Sequence, residues 1–163
     1  MKRSLCLLIF LLLTVAADAG AVEFGFNVYG LSYHPARRDY YGRPFNEVNP
    51  GLGINVILHE GRHAILFSEG GSYDDSFHQH ARYLSLGYKY KLLPFFSAGM
   101  NVGYYHSRSV NYNRPVLAPV PMASLRIKFV SANVVYMPSY WGLNWFPAWG
   151  GYLTFYFFNT KND

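Results

Sequence analysis

The chain has very little cysteine and little charge, and it lacks a long apolar run beyond its start. Its single cysteine, Cys6, lies in the first apolar stretch, so the remainder has no thiol, no disulfide and no cysteine metal ligand. Charged residues make up 14% of the chain and form no basic block, so the charge pattern does not indicate nucleic acid binding. After residue 19, no apolar run approaches the ~20 residues of a membrane-spanning helix.

Residues 1–19 have the pattern of a secretory signal peptide: a basic start, an apolar run and a small-x-small ending. Cleavage after Ala19, or after Ala21, leaves 20–163 as one exported domain. The alternative, a retained membrane anchor, requires a longer apolar run than this one. Removal of residues 1–19 lowers the net charge from +5 to +4, so the exported domain is mildly basic.

In contrast to cysteine and charged residues, aromatic residues and glycine are abundant in the chain. The chain has 15 Tyr, 13 Phe and 15 Gly, and aromatic residues make up 19% of it. No long helical period is present. An exported, aromatic-rich chain that favours strands and has no disulfides is typical of an outer-membrane β-barrel.

Apolar and polar residues alternate with the period of two that transmembrane strands show. The clearest case is 95–105, where the apolar residues from Phe96 to Tyr104 alternate with small or polar residues from Ser97 to Gly103. The alternation predicts eight strands: 22–33, 49–58, 62–73, 81–91, 95–105, 121–129, 132–137 and 148–158. In the strand 121–129, the alternation places Arg126 and Lys128 on the inward side and apolar residues on the outward side. This arrangement favours a membrane barrel over a soluble β-sandwich. We therefore expect an all-β fold, an eight-stranded antiparallel transmembrane β-barrel.

The segments between these strands alternate in length. Tight turns are expected at 59–61, 92–94 and 130–131, and longer loops at 34–48, 74–80, 106–120 and 138–147. Outer-membrane barrels have short periplasmic turns and long extracellular loops. All four long loops are therefore expected to share the cell-surface rim.

The stretch SYDDSFHQHARY carries a dense set of polar residues to this rim. Asp75 and Ser76 lie in it, and His34 ends the first strand on the same side of the barrel. A histidine, a carboxylate and a hydroxyl suit acyl transfer, because imidazole can accept a proton from an attacking oxygen. A metal site built from Asp74, Asp75, His78 and His80 is the alternative. Without a cysteine or a further histidine motif, we expect no metal and no cofactor.

Several segments, in order along the chain, resemble the lipid A palmitoyltransferase (PagP) family. They are SYHPA around His34, FNEVNPGLGINV at 45–56, YDDSF followed by ARYLSLGY, NYNRPVLAPVPMASL at 111–125, VVYMPSY and FPAWGGYLTFYF. The resemblance implies transfer of a palmitoyl chain from a phospholipid to lipid A. It also implies that His34, Asp75 and Ser76 are the catalytic residues.

The resemblance also suggests substrate-binding positions. Gly87, on the inward face of the fourth strand, matches the family's glycine at the floor of an acyl pocket inside the barrel. Pro119, Pro121 and Pro138 match prolines that interrupt strand pairing so that a lipid can enter sideways. This role is physically reasonable, because proline lacks the N–H of the strand ladder.

Three arginines of the first long loop, Arg37, Arg38 and Arg43, are candidates for contact with lipid phosphates. The alternative is that they are solvated loop charges. The expected partners are phospholipid and lipopolysaccharide in the outer membrane, and we expect a monomer.

The sequence departs from the family pattern in three respects. No amphipathic helix precedes the first strand, and the first loop is shorter. Strict alternation from Phe24 would also point His34 outward together with Phe26. If His34 faces the interior, a bulge near Gly30 must shift the alternation.

Two other functions remain open. A non-enzymatic small outer-membrane barrel would use its loops for adhesion or resistance, or serve as membrane structure, and would fill its lumen with charged networks. A lipid A deacylase of the same broad fold carries a His-x-Ser pair on a late strand. Here the nearest match is YHSRS, where His106 and Ser109 are differently spaced.

Overall fold

The computed structural model describes residues 23–139 and 144–159, which form a closed barrel of eight antiparallel strands. Each strand pairs with its neighbours in chain order, and the first strand pairs with the last to close the barrel. The strands are β1 (Glu23–Tyr33), β2 (Val48–Glu60), β3 (Ala64–Asp74), β4 (His80–Leu93), β5 (Phe96–His106), β6 (Val116–Ile127), β7 (Val130–Met137) and β8 (Ala148–Asn159). The predicted all-β fold, a barrel of eight antiparallel strands, is confirmed, whereas the predicted signal peptide lies outside the described residues.

Alternation of side chains accounts for these strands. In β5 the apolar Met100 and Val102 are 46% and 43% exposed, whereas Asn101 between them is 2% exposed. Every strand carries at least one large, exposed apolar side chain on its outer face, for example Leu52, Leu86 and Leu153. The barrel is therefore apolar outside and partly polar inside, the reverse of a soluble domain. No helix in the described part of the chain is long and apolar enough to cross a membrane.

The connections alternate in length as predicted. Short turns at 61–63, 94–95 and 128–129 lie at one end of the barrel. Long loops at 34–47, 75–79 and 107–115 lie at the other end, with the described residues 138–139 and 144–147 of the fourth connection. We call these the turn end and the loop rim. The third long loop contains a short 3-10 turn, Asn111–Asn113.

The predicted turn at Val130 and Ser131 is wrong, because both residues belong to β7 and pair with β6. The chain reverses instead at Lys128 and Phe129, where Lys128 adopts the left-handed conformation with φ of 55°. Lys128 is therefore exposed at the turn and does not face the lumen. The apolar alternation continues through Phe129, so periodicity alone did not reveal where the strand ended.

The lumen near the turn end is filled by polar side chains. Arg126 donates two hydrogen bonds to the Glu23 carboxylate, at 2.7 and 2.8 Å. Lys89 donates to Ser124 at 3.2 Å and lies 4.7 Å above the ring of the fully buried Phe67. These side chains occupy the lumen near the turn end.

Candidate active site

His34 is turned into the barrel by an irregularity in β1. The pairing of β1 with both β2 and β8 shifts register between Tyr29 and Leu31, so the required bulge near Gly30 is present. Phe26 faces outward before the bulge, and Leu31 and Tyr33 face outward after it. His34, which follows Tyr33, therefore faces inward and is only 3% exposed. A bulge adds one residue to one strand and thereby exchanges the faces of all residues that follow it.

The ring of His34 stacks on the ring of Phe45, with 4.1 Å between ring centroids. Its Nδ1 is buried without a hydrogen-bond partner among the described residues. Burial lowers the pKa of His34, and the nearby charge of Glu47 acts in the opposite direction. The imidazole is therefore held in its neutral form near pH 7, the form that can accept a proton.

Asp75 is buried and all of its acceptor positions are engaged. Its Oδ1 accepts hydrogen bonds from the backbone N–H groups of Phe77, at 2.9 Å, and Gln79, at 2.8 Å. Its Oδ2 accepts from the Ser107 hydroxyl at 2.5 Å and from the Ser109 hydroxyl. Asp75 thus ties the second long loop to the third.

Ser76 lies where the first and second long loops meet. The carbonyl oxygen of Ser76 accepts a hydrogen bond from the backbone N–H of Asn46 at 2.9 Å. Its hydroxyl oxygen lies 3.4 Å from that of Ser32, two residues before His34. Ser76 is therefore close to the inward-turned end of β1.

All three predicted catalytic residues line one cavity of about 180 Å³ at the loop rim. No hydrogen bond joins His34, Asp75 and Ser76 to one another within the part of the chain that the structure describes. The structure thus brings the three residues to the same cavity but does not connect them as a hydrogen-bonded triad.

The cavity has largely apolar walls and a polar floor. Val120, Val135 and Met137 line the walls. At the floor, Glu69 accepts hydrogen bonds from Tyr152 at 2.9 and 3.0 Å and from the amides of Asn27, Asn55 and Asn101. This cluster separates the open upper cavity from the filled lumen below it.

Gly87 lies below this floor. It faces the interior, as the alternation predicted, but it is not among the residues that line the cavity. The Phe67 ring occupies the space beside it, so that an added Cβ would lie 2.1 Å from Phe67 Cζ. In this structure the expected acyl pocket does not reach Gly87, because Phe67 and the Glu69 cluster fill the intervening space.

The prolines flank a gap in the barrel wall. The ladder between β6 and β7 begins only at Met122 and Val135, whereas β6 pairs with β5 from Val116 onward. Pro119 and Pro138 line the cavity, and Pro121 lies on the exposed outer face. The pairing of β6 with β5 continues without a break past Pro119 and Pro121. The ring nitrogens of these prolines, which carry no N–H, therefore face β7, where the ladder is interrupted.

The three arginines of the first loop are exposed but differ in their contacts. Arg43 forms a salt bridge with Asp39 at 2.7 Å, and Arg38 donates to the carbonyl of Gly42 at 2.7 Å. The guanidinium of Arg37 lies 5.0 Å from the centroid of the outward-facing Tyr33 ring. None of the three lines the cavity.

Ser107 and Ser109 are site residues that the sequence reasoning missed. Both line the cavity and bind Asp75, and His106 beside them also lines it. The stretch YHSRS contains both serines, but its pattern alone does not indicate a contact with Asp75. The contact of these serines with Asp75 depends on how the second and third long loops meet.

Of the residues in the alternative metal site, Asp74, His78 and His80 are exposed at the loop rim, whereas Asp75 is buried. His80 Nε2 is 2.6 Å from the Ser72 hydroxyl, and His80 Nδ1 is 3.6 Å from the Asp74 carboxylate. His78 is exposed and adopts a left-handed conformation with φ of 58°. Among the described residues, no three His, Cys, Asp or Glu side chains are grouped to hold a metal ion.

No protein-family model matches the chain, and no curated protein matches it significantly. The candidate site is therefore supported by its own residues and geometry.

Proposed function

We propose that the protein is an outer-membrane acyltransferase that moves a palmitoyl chain from a phospholipid to lipid A. The observation that carries the proposal is the inward turn of His34 at the bulge, which brings a neutral, buried imidazole to the same apolar cavity as Ser76 and Asp75. The closed barrel with an apolar exterior is compatible with an outer-membrane protein. Export through the signal peptide at residues 1–19 belongs to the same proposal.

The proposed reaction exchanges one ester for another. A lipid A hydroxyl attacks the carbonyl carbon of the phospholipid ester, and His34 accepts the hydroxyl proton as the new C–O bond forms. The old C–O bond then breaks, and the proton passes to the oxygen of the departing lysophospholipid. Ser76 serves either as a hydroxyl partner or as a nucleophile that carries the acyl group between the two lipids. Both routes yield the same products.

The cavity and the gap in the wall suit such a substrate. An acyl chain fits between apolar walls such as Val120 and Val135, and its ester then lies near the rim residues. The gap between β6 and β7 beside Pro119 offers a lateral route from the surrounding lipid. The exposed guanidinium of Arg37 is placed to meet a lipid phosphate.

The test is palmitate transfer from phospholipid to lipid A in membranes that contain the full chain. We expect His34→Ala to lower the rate by about 10²–10⁴-fold, the usual contribution of a general base. Ser76→Ala should also lower it. His80→Ala is the matched control, because His80 is an exposed histidine on the same rim. Absence of transfer by the wild-type chain, or full activity in both variants, would refute the proposal.

A non-enzymatic barrel is the second candidate, and the polar lumen favours it. The buried Glu69 cluster and the Arg126–Glu23 pair are networks that a structural barrel would use to fill its interior. An inactive wild-type chain with a stable barrel would support this alternative.

A further inference from the structure

Asp75 has no acceptor position left for His34. A carboxylate offers about four lone-pair sites, and those of Asp75 receive two backbone N–H groups and the hydroxyls of Ser107 and Ser109. If a carboxylate acts on the imidazole of His34, another residue must supply it.

Glu47 lies on the segment that packs against His34. The backbone N–H of Ser32 donates to the Glu47 carbonyl at 2.9 Å, which holds the two segments side by side. Val48 faces outward and is 60% exposed. Val48 pairs with Leu31, so Glu47 lies opposite Ser32, a cavity residue two positions before His34. Phe45, two residues before Glu47, stacks on the His34 ring.

The electrostatics agree with this placement. The charge of Glu47 raises the pKa of His34, although the larger effect of burial keeps that pKa below its ordinary value. The Glu47 side chain makes no hydrogen bond or ion pair to the other described residues.

Other charged or titratable groups lie near His34 or line the same cavity. Arg37 extends over the outward-facing Tyr33 ring, and Asp75 binds the two serines. Glu69, Arg82 and His106 line the same cavity as His34. Of these groups, Glu47 is the one whose charge raises the pKa of His34.

We propose that Glu47 stabilises the protonated imidazole of His34 during acyl transfer, and that Asp75 with Ser107 and Ser109 instead fixes the second and third long loops at the cavity mouth. Glu47 is then a positioning residue that acts through His34. The catalytic part rests on the proposed function, whereas the pairing of Glu47 with His34 can be tested without it.

The first experiment is an NMR titration of the full chain in detergent micelles with labelled histidine. The His34 signal is assigned from its loss in His34→Ala. Glu47→Gln keeps the side-chain size and removes the charge, so we expect the titration midpoint of His34 to move to lower pH. Asp75→Asn should leave the midpoint unchanged, and so should the matched control Asp74→Asn at the exposed neighbouring carboxylate. The proposal is overturned if Asp75→Asn moves the midpoint as far as Glu47→Gln does, or if Glu47→Gln leaves it in place.

The second experiment measures the pH dependence of palmitate transfer. Neutral His34 is the active base, so the rate falls as pH drops through its pKa. Glu47→Gln should therefore move the acid limb to lower pH and reduce the maximal rate, whereas Asp75→Asn should reduce the rate without moving the limb. A limb that moves in Asp75→Asn contradicts the assignment. If the wild-type chain transfers no palmitate, the proposed function fails, and the NMR titration still decides whether Glu47 acts on His34.

Discussion

Replacement of Gly87 by alanine tests how the interior below the cavity is packed. An added Cβ would lie 2.1 Å from Cζ and 2.4 Å from Cε1 of the Phe67 ring. That ring is fully buried and has the Lys89 ammonium group 4.7 Å above it, so it has little room to move. Overpacking of this kind costs about 1–3 kcal/mol. We expect Gly87→Ala to lower the free energy of unfolding by that amount.

The measurement is equilibrium unfolding in denaturant, followed by tryptophan fluorescence in detergent micelles. Gly61→Ala is the matched control, because its added Cβ would lie no closer than 3.4 Å to any neighbour, the Nε2 atom of His59. Its stability should remain within about 1 kcal/mol of wild type. Equal stability of wild type and Gly87→Ala would refute the packing argument.

Gly87→Ala also tests the role that the family resemblance implies for Gly87, namely the floor of the acyl pocket. Gly87 does not line the cavity, so a wild-type chain that transfers palmitate should transfer a chain of the same length after Gly87→Ala. Mass spectrometry of the modified lipid A gives that length. A shorter chain transferred by a variant of unchanged stability would place Gly87 at the pocket floor and contradict the position of Phe67.

Two further predictions concern the cavity floor and the barrel wall. Glu69→Ala removes the acceptor of the buried Asn55 and Asn101 amides and of the Tyr152 hydroxyl, at about 1–3 kcal/mol each, whereas the Asn27 amide keeps the Tyr29 hydroxyl as an acceptor. We therefore expect a loss of several kcal/mol in the same unfolding assay. Glu69→Gln retains one acceptor and should lose less; equal losses in both would contradict the role of the carboxylate. The double change Pro119→Ala and Pro121→Ala restores N–H groups that face β7. It should therefore extend the ladder between β6 and β7 and slow palmitate transfer without loss of stability. An unchanged or faster rate would show that the gap is not the route of entry.

Much of the fold could be predicted from local pattern. The period of two identified all eight strands, and the alternating loop lengths placed the long loops at one end. The pattern also required a bulge near Gly30 if His34 was to face inward, and that bulge is present. Local alternation succeeds here because each strand has one apolar and one inward-facing side.

Contacts between loops and between distant strands could not be predicted in this way. The binding of Asp75 by Ser107 joins residues 32 positions apart, and it depends on how two loops meet after the barrel closes. The packing of Phe67 against Gly87 is likewise a contact between neighbouring strands, set by their register. The position of Lys128 was missed because the apolar period continues through the turn.

The sequence by itself therefore determined the class of barrel, the faces of its strands and the rim where His34, Asp75 and Ser76 lie, because these follow from a period that each strand carries locally. Only the tertiary structure decided that Asp75 is bound by serines, that Phe67 and Glu69 close the cavity above Gly87, and that the Glu47 backbone is hydrogen-bonded to Ser32 near His34. These features depend on register, loop contact and burial, which exist only once the strands have paired around the closed barrel.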